Sequence, residues 1–119
     1  MRYQTRCVKI RLKPNSLERV REWARTINDL RRAEALVTLR DETVVIEAAF
    51  LDCTSEGDFL IYIMKAESFE KSKQTAATSA HEIDKYHQDF KKDTWESGNL
   101  LELLVDLDRI SELAGISEE

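Results

Sequence analysis

The sequence predicts an α+β domain in which one antiparallel sheet, built in the order βαββαβ, carries helices on one face. Three observations predict it. Cys7-Val8-Lys9-Ile10-Arg11-Leu12 alternates apolar and polar side chains with the period of a strand. Leu17, Val20, Ala24 and Ile27 recur at spacings of three and four, the stripe of a helix that faces a core. Phe59-Leu60-Ile61-Tyr62-Ile63-Met64 is apolar at every position and follows the turn-like stretch Asp52–Asp58. A strand sends successive side chains to opposite faces, so this one has no wet side. One layer of helices covers only one face of a sheet, and the other face calls for a second sheet, a ligand or a partner chain. A second copy of the chain is the expected occupant.

The first strand ends at Lys13-Pro14-Asn15-Ser16, because proline cannot donate to a ladder and Asn15 or Ser16 can accept from the free amides of the next helix. Trp23 and Leu30 widen the stripe of that helix. Its phase is lost through Arg31-Arg32-Ala33-Glu34, so Ala35–Leu39 is either a displaced continuation or a short second helix. Thr43–Leu51 is rich in β-branched and apolar residues and forms the second strand. Ser55-Glu56-Gly57-Asp58 turns the chain into the third, making a hairpin. Ser68 caps a helix starting at Phe69, while the polar tract Ser72–Thr78 is expected as an exposed segment. Ser79-Ala80-His81-Glu82 has the form of a capping box and should open a fresh helix. On it Ile83, His87 and Phe90 share a face, and Lys85, Gln88, Asp89, Lys91 and Lys92 are expected in solvent. Gly98-Asn99 ends the region holding Trp95, and Leu100–Leu107 supplies the fourth strand. A last amphipathic turn around Ile110 and Leu113 docks, and the tail frays from about residue 115. The whole, 1–119, reads as a single domain of ferredoxin-like order.

Alternation assigns the two sheet faces. Val8, Ile10, Leu12, Ile61, Ile63, Leu101, Leu103 and Val105 are expected toward the helices. Cys7, Lys9, Arg11, Glu47, Leu60, Tyr62, Met64, Glu102 and Leu104 are expected opposite, against a twin sheet that pairs the charges or leaves them around a wet cavity.

The 119 residues carry a net charge of -5 with a pI near 5.2, which disfavours a general electrostatic hold on nucleic acid or an anionic membrane. The N-terminus lacks the apolar stretch of a signal peptide, and no segment approaches the roughly 20 apolar residues of a membrane span. A cytoplasmic protein is expected. Cys7 and Cys53 lie far apart without CxxC or metal spacing and read as two reduced, mostly buried thiols rather than a disulfide framework.

At this point the residues resemble a family. The βαββαβ order, the two-sided third strand, and Ile83-Asp84-Lys85-Tyr86-His87-Gln88-Asp89-Phe90 followed by Leu101-Glu102-Leu103-Leu104-Val105-Asp106-Leu107 look like small uncharacterised bacterial proteins of the dimeric α/β barrel superfamily. That superfamily includes the antibiotic-biosynthesis monooxygenases. The resemblance covers about Val8 to Asp108 and implies a homodimer with two sheets closed face to face and a pocket between helices and sheet. It transfers no reaction, because one fold hosts many chemistries.

Among titratable residues His87 stands out, lying on an apolar stripe where Asp84 or Glu47 could orient it as a general base. A core histidine bonded to a backbone carbonyl or a partner side chain is the competing reading. Tyr62 or Arg11 would stabilise developing negative charge, and Arg11, Glu47, Tyr62 and Trp95 are the candidate ligand-binding residues. His81 and His87 sit about 120° apart around a helix, so they cannot chelate as an i, i+4 pair, and no metal site is expected. No GxGxxG, Walker, HExxH or GxSxG pattern occurs, and no cofactor is called for. Two functions remain open. One is a non-catalytic homodimeric module binding a small molecule or a protein; the other is a cofactor-independent oxygenase or isomerase with His87 as base.

Overall fold

A computed structural model describes residues 2–115. The elements are β1 (Gln4–Leu12), α1 (Leu17–Arg25), a π-helical turn (Thr26–Leu30), α2 (Arg32–Asp41), β2 (Val44–Thr54), β3 (Gly57–Ala66), α3 (Phe69–Ala77), α4 (Glu82–Thr94), β4 (Trp95–Leu100) and α5 (Ile110–Leu113). The four strands form one antiparallel sheet in the order β2-β3-β1-β4, with β3 and β1 in the centre. This is the ferredoxin-like arrangement of an α+β domain, and it places the most apolar strand where both its edges are paired.

The hairpin fixes the register. Thr54 pairs with Gly57 across the two-residue loop Ser55-Glu56, and Gly57 adopts φ +138, a conformation that side-chain-bearing residues rarely take. The Arg11 guanidinium lies over this glycine and donates to the Glu56 carbonyl at 3.0 Å. The same residue packs on the Phe59 ring, 4.6 Å from its centroid, as does Lys9 at 4.4 Å.

Register corrects the expected faces of the sheet. Val8 pairs with Tyr62 and Ile10 with Leu60, and residues directly opposite in a ladder share a face. Leu60, Tyr62 and Met64 therefore point toward the helices with Val8, Ile10 and Leu12, and Ile61 and Ile63 point away with Lys9 and Arg11. Glu47 pairs with Met64 and so also lies on the helix side, because a bulge at Val45 shifts the phase of β2 by one residue. The core forms on that side from Ile10, Leu12, Val20, Trp23, Leu60, Tyr62 and Phe90. Phe90 is fully enclosed and stacks on Trp23 with ring centroids 4.4 Å apart and planes 3° from parallel.

Four local expectations also change. The π-helical turn, closed by the Arg31 amide donating to the Thr26 carbonyl five residues back at 2.8 Å, accounts for the lost phase between α1 and α2. The polar tract after Ser68 is helical as α3, because the Ser68 side chain caps it and Ser72 is buried with its hydroxyl donating to the Glu42 carbonyl at 2.6 Å. Helix α4 starts at Glu82 with His81 as its N-cap, since the Ser79 hydroxyl donates to the Asp84 carboxylate instead of forming a capping box. The fourth strand is Trp95–Leu100, paired with β1 from Leu12 to Val8, and ladder bonding closes with the Leu101 amide on the Cys7 carbonyl at 2.9 Å.

Residues 101–109 continue as an extended arm with Leu103, Leu104, Val105 and Leu107 exposed. Buried Lys65 ties the arm down, donating to Asp106 at 2.9 Å and to Asp108 at 2.5 Å, while the Thr5 hydroxyl donates to Asp106 at 2.9 Å. Burial alone would lower the Lys65 pKa, but the bonds to Asp108 and Asp106 outweigh it and raise the value. Both thiols are free; Cys7 is half-buried and Cys53 exposed, so the expectation of two mostly buried thiols fails at the edge strand β2. Residues 116–119, where the frayed tail was expected, lie outside the described residues. No helix among the described residues is long and apolar enough to cross a membrane.

Candidate functional site

A cavity of about 610 Å³ opens between the helix face of the sheet and α1, the π-helical turn, α2 and α4. That volume lies in the range typical of small-ligand sites. Each wall follows from a local rule. Strand alternation brings Glu47 from β2 and Tyr62 from β3 to the floor. Helical spacing brings Ile83, His87 and Lys91 to one face of α4, four residues apart each time. Trp95 enters at the junction where α4 becomes β4, and Trp23 comes from α1.

The polar groups are linked through rings and hydrogen bonds. Tyr62 donates its hydroxyl to the Glu47 carboxylate. The Trp23 indole N–H donates to His87 Nδ1 at 3.2 Å, and the two rings stack with centroids 5.8 Å apart and planes 29° from parallel. Tyr62 meets Trp95 edge-on at 6.1 Å. Trp95 lines the cavity, and its Nε1 is buried behind that wall with no hydrogen-bond partner among the described residues.

Electrostatics follow from the enclosure. Burial pushes the His87 pKa down to about 3, with the Lys91 ammonium adding to the effect, so the imidazole is neutral at physiological pH. Glu47 is pushed up to about 7, chiefly by desolvation; Asp84 adds to this and Lys91 opposes it. Glu47 lines the cleft while much of its surface stays accessible, so solvent moderates this rise. Glu42, at the end of α2, is likewise raised to about 7 by desolvation, with Asp84 and Glu47 contributing. Burial lowers the Lys91 pKa, and Glu47 and Glu42 partly restore it. The interior thus holds carboxyls that gain and lose protons near neutrality beside a neutral imidazole.

Of the residues singled out from sequence, Glu47, Tyr62, Asp84, His87 and Trp95 surround this cavity. Arg11 does not; it lies on the opposite sheet face, over Phe59 and 4.0 Å from Glu96. Among the described residues neither Asp84 nor Glu47 hydrogen-bonds His87, and its partner is Trp23. Lys91 and Glu42 were missed. Lys91 carried a usable signal, its four-residue spacing from His87, whereas Glu42 follows the last turn of α2 and had none. His81 pairs with Asp41 at 3.0 Å, well away from His87, and no group of three or more metal-ligating side chains forms among the described residues.

No curated protein matches the chain. The fold is similar to that of the crystal structure of an L-rhamnose mutarotase from Formosa agariphila, with a TM-score of 0.58 and 19% sequence identity over 88% of this chain and 99% of that one. At that identity the likeness is one of fold. Residues 3–112 match a family of unknown function, DUF6176, and the chain belongs to it.

Proposed function

We propose that the cavity binds a small, uncharged, hydroxyl-bearing molecule, and that the chain does so as a homodimer closed sheet to sheet in the manner of the dimeric α/β barrels. The observation that carries the ligand reading is the convergence of the Tyr62–Glu47 pair, His87 and Lys91 in one cavity with aromatic walls. Several donors and acceptors at short spacing match a polyol better than an apolar ligand, which would leave them unpaired. An aldose is the first class to try, since the neighbour of like fold is named as a rhamnose mutarotase. Thermal shift and saturation-transfer NMR with L-rhamnose, other aldoses and their alditols test it, with Glu47→Ala as control. Binding abolished in the control supports the reading; no response to any of them at millimolar concentration rejects it.

A second reading, a cofactor-independent isomerase, is favoured by Glu47, whose pKa near 7 lets it both accept and return a proton at neutral pH. Exchange NMR of aldose anomers in the presence of the chain separates it from binding alone.

The dimer rests on the other sheet face. Phe50 and Ile46 are exposed there at 59% and 42%, next to half-buried Phe59, Ile61 and Ile63. An apolar surface of this kind on a sheet suits an identical surface. Light scattering should give a dimer for the parent chain and a monomer or aggregate for Phe50→Asp. A parent chain that is monomeric at micromolar concentration removes this part.

A further inference from the structure

We infer that Trp23 locks His87 in the Nε2–H tautomer, so that the imidazole serves the cavity as a neutral hydrogen-bond donor and proton acceptance falls to Glu47. The inference deepens the binding reading and rests on it only for the ligand. An indole N–H can donate but never accept, so its 3.2 Å contact with His87 Nδ1 requires a lone pair on that nitrogen. A neutral imidazole with a bare Nδ1 carries its proton on Nε2. Among the described residues Nε2 has no hydrogen-bond partner, and it is absent from the buried polar atoms left unmatched, so it reaches open space; the open space beside His87 is the cavity.

The arrangement is held from behind. Trp23 is itself fixed by its near-parallel stack on Phe90, and His87 stacks on both rings, at 5.8 Å from Trp23 and 6.2 Å from Phe90. Among the described residues no carboxylate hydrogen-bonds the imidazole to favour its charged form, and Lys91, on the same face of α4, opposes a second positive charge. Trp23 is therefore a positioning residue. The cavity thus holds a fixed N–H on α4 and, on its floor, a carboxyl bonded to Tyr62. Such a pair suits a ligand that presents an acceptor oxygen, carbonyl or ether, near a hydroxyl that can donate. An ammonium or amide N–H turned to His87 would meet another donor.

Nitrogen-15 NMR of the full-length, ligand-free chain tests the tautomer without any ligand. The expected result is a pyridine-type Nδ1 and a pyrrole-type Nε2, unchanged between about pH 5 and 8, with a through-hydrogen-bond coupling between Trp23 Nε1 and His87 Nδ1. A protonated Nδ1, or titration of His87 inside that range, overturns the inference. In Trp23→Phe, which keeps the stack and removes the donor, the Nδ1–H form should appear; persistence of Nε2–H alone overturns the role of Trp23. Should that variant fail to fold, the coupling in the parent chain decides, and its absence is an overturning result. Addition of L-rhamnose should move the Nε2 resonance and leave Nδ1 in place. A silent Nε2 with the expected tautomer counts against sugar binding and leaves the Trp23–His87 assignment standing.

Discussion

Replacing Phe90 with alanine tests whether the stack behind His87 is the centre of the fold. Phe90 has no accessible surface, and its ring lies 4.4 Å from that of Trp23 and nearly parallel to it. Truncating a fully enclosed phenylalanine costs about 3–5 kcal/mol, from lost transfer free energy and from the cavity left when rigid neighbours cannot collapse into it. Here the neighbours are Trp23 and the sheet residues of the core, which helices hold apart, so the upper half of that range applies. A chain of 119 residues has a total stability of roughly 6–18 kcal/mol, so about 4 kcal/mol removes a quarter to two thirds of it. The expected fall in Tm is roughly 15 °C. Urea unfolding followed by tryptophan fluorescence and by far-ultraviolet circular dichroism measures the loss directly. Phe90→Leu, which keeps most of the volume, should lose only about 1 kcal/mol. An alanine variant within about 1 kcal/mol of the parent would falsify the packing described around Trp23, and with it the support given to His87.

Other outcomes follow from the same geometry. Thr43 holds φ +60, a left-handed conformation that is costly for a β-branched residue, and its buried hydroxyl lacks a partner among the described residues; Thr43→Gly should raise stability by about 1 kcal/mol in urea titration. Between about pH 4.5 and 7 the folded chain holds protons on Glu47 and Glu42 that the unfolded chain has released, so these two groups make stability fall as pH rises through that window. Glu47→Gln should flatten that decline in pH-dependent melting. His87 acts in the opposite sense: its folded pKa of about 3 lies below the unfolded value, so its contribution is present above about pH 6.5 and is lost as pH falls toward 3. His87→Gln should weaken acid denaturation in that range. Asp106→Asn should loosen the arm, seen as faster amide hydrogen exchange over residues 101–109 with little change in β1 or β3.

Much of the fold was legible because each early element carries its own phase. The alternation in β1 and the stripe of α1 from Leu17 to Ala24 survive, while Leu30, expected to widen that stripe, is exposed because the π-helical turn takes over after Arg25; the turn at Ser55-Glu56 announces the hairpin. What the residues could not disclose was the side to which Tyr62 turns. A strand apolar at every position has no parity of its own, and only the pairing of Val8 with Tyr62, a contact between residues far apart in the chain, decides it. The bulge at Val45 hid the side of Glu47 for the same reason. Composition misled at the other end: Leu101–Leu107 looks like a strand, but ladder pairing with β1 runs from Trp95 to Leu100, glycine and asparagine included, and beyond the Leu101 amide the chain is held to Thr5 and Lys65 by the Asp106 side chain instead. Most of the candidate residues nonetheless meet in one cavity, because spacing along α4 and proximity in the hairpin are local properties. The hydrogen bond between Trp23 and His87 joins residues 64 positions apart, and nothing local encodes it.

Tyr62 and Met64 border the cavity while Ile61 and Ile63, their immediate neighbours along β3, form the back of the sheet. The strand is thus a partition one polypeptide thick between two compartments. Any object pressed on the rear of this partition is within a single peptide unit of the groups at its front. With the proposed dimer and ligand, selection for self-assembly and selection for contents would act on alternate letters of the same six-residue word.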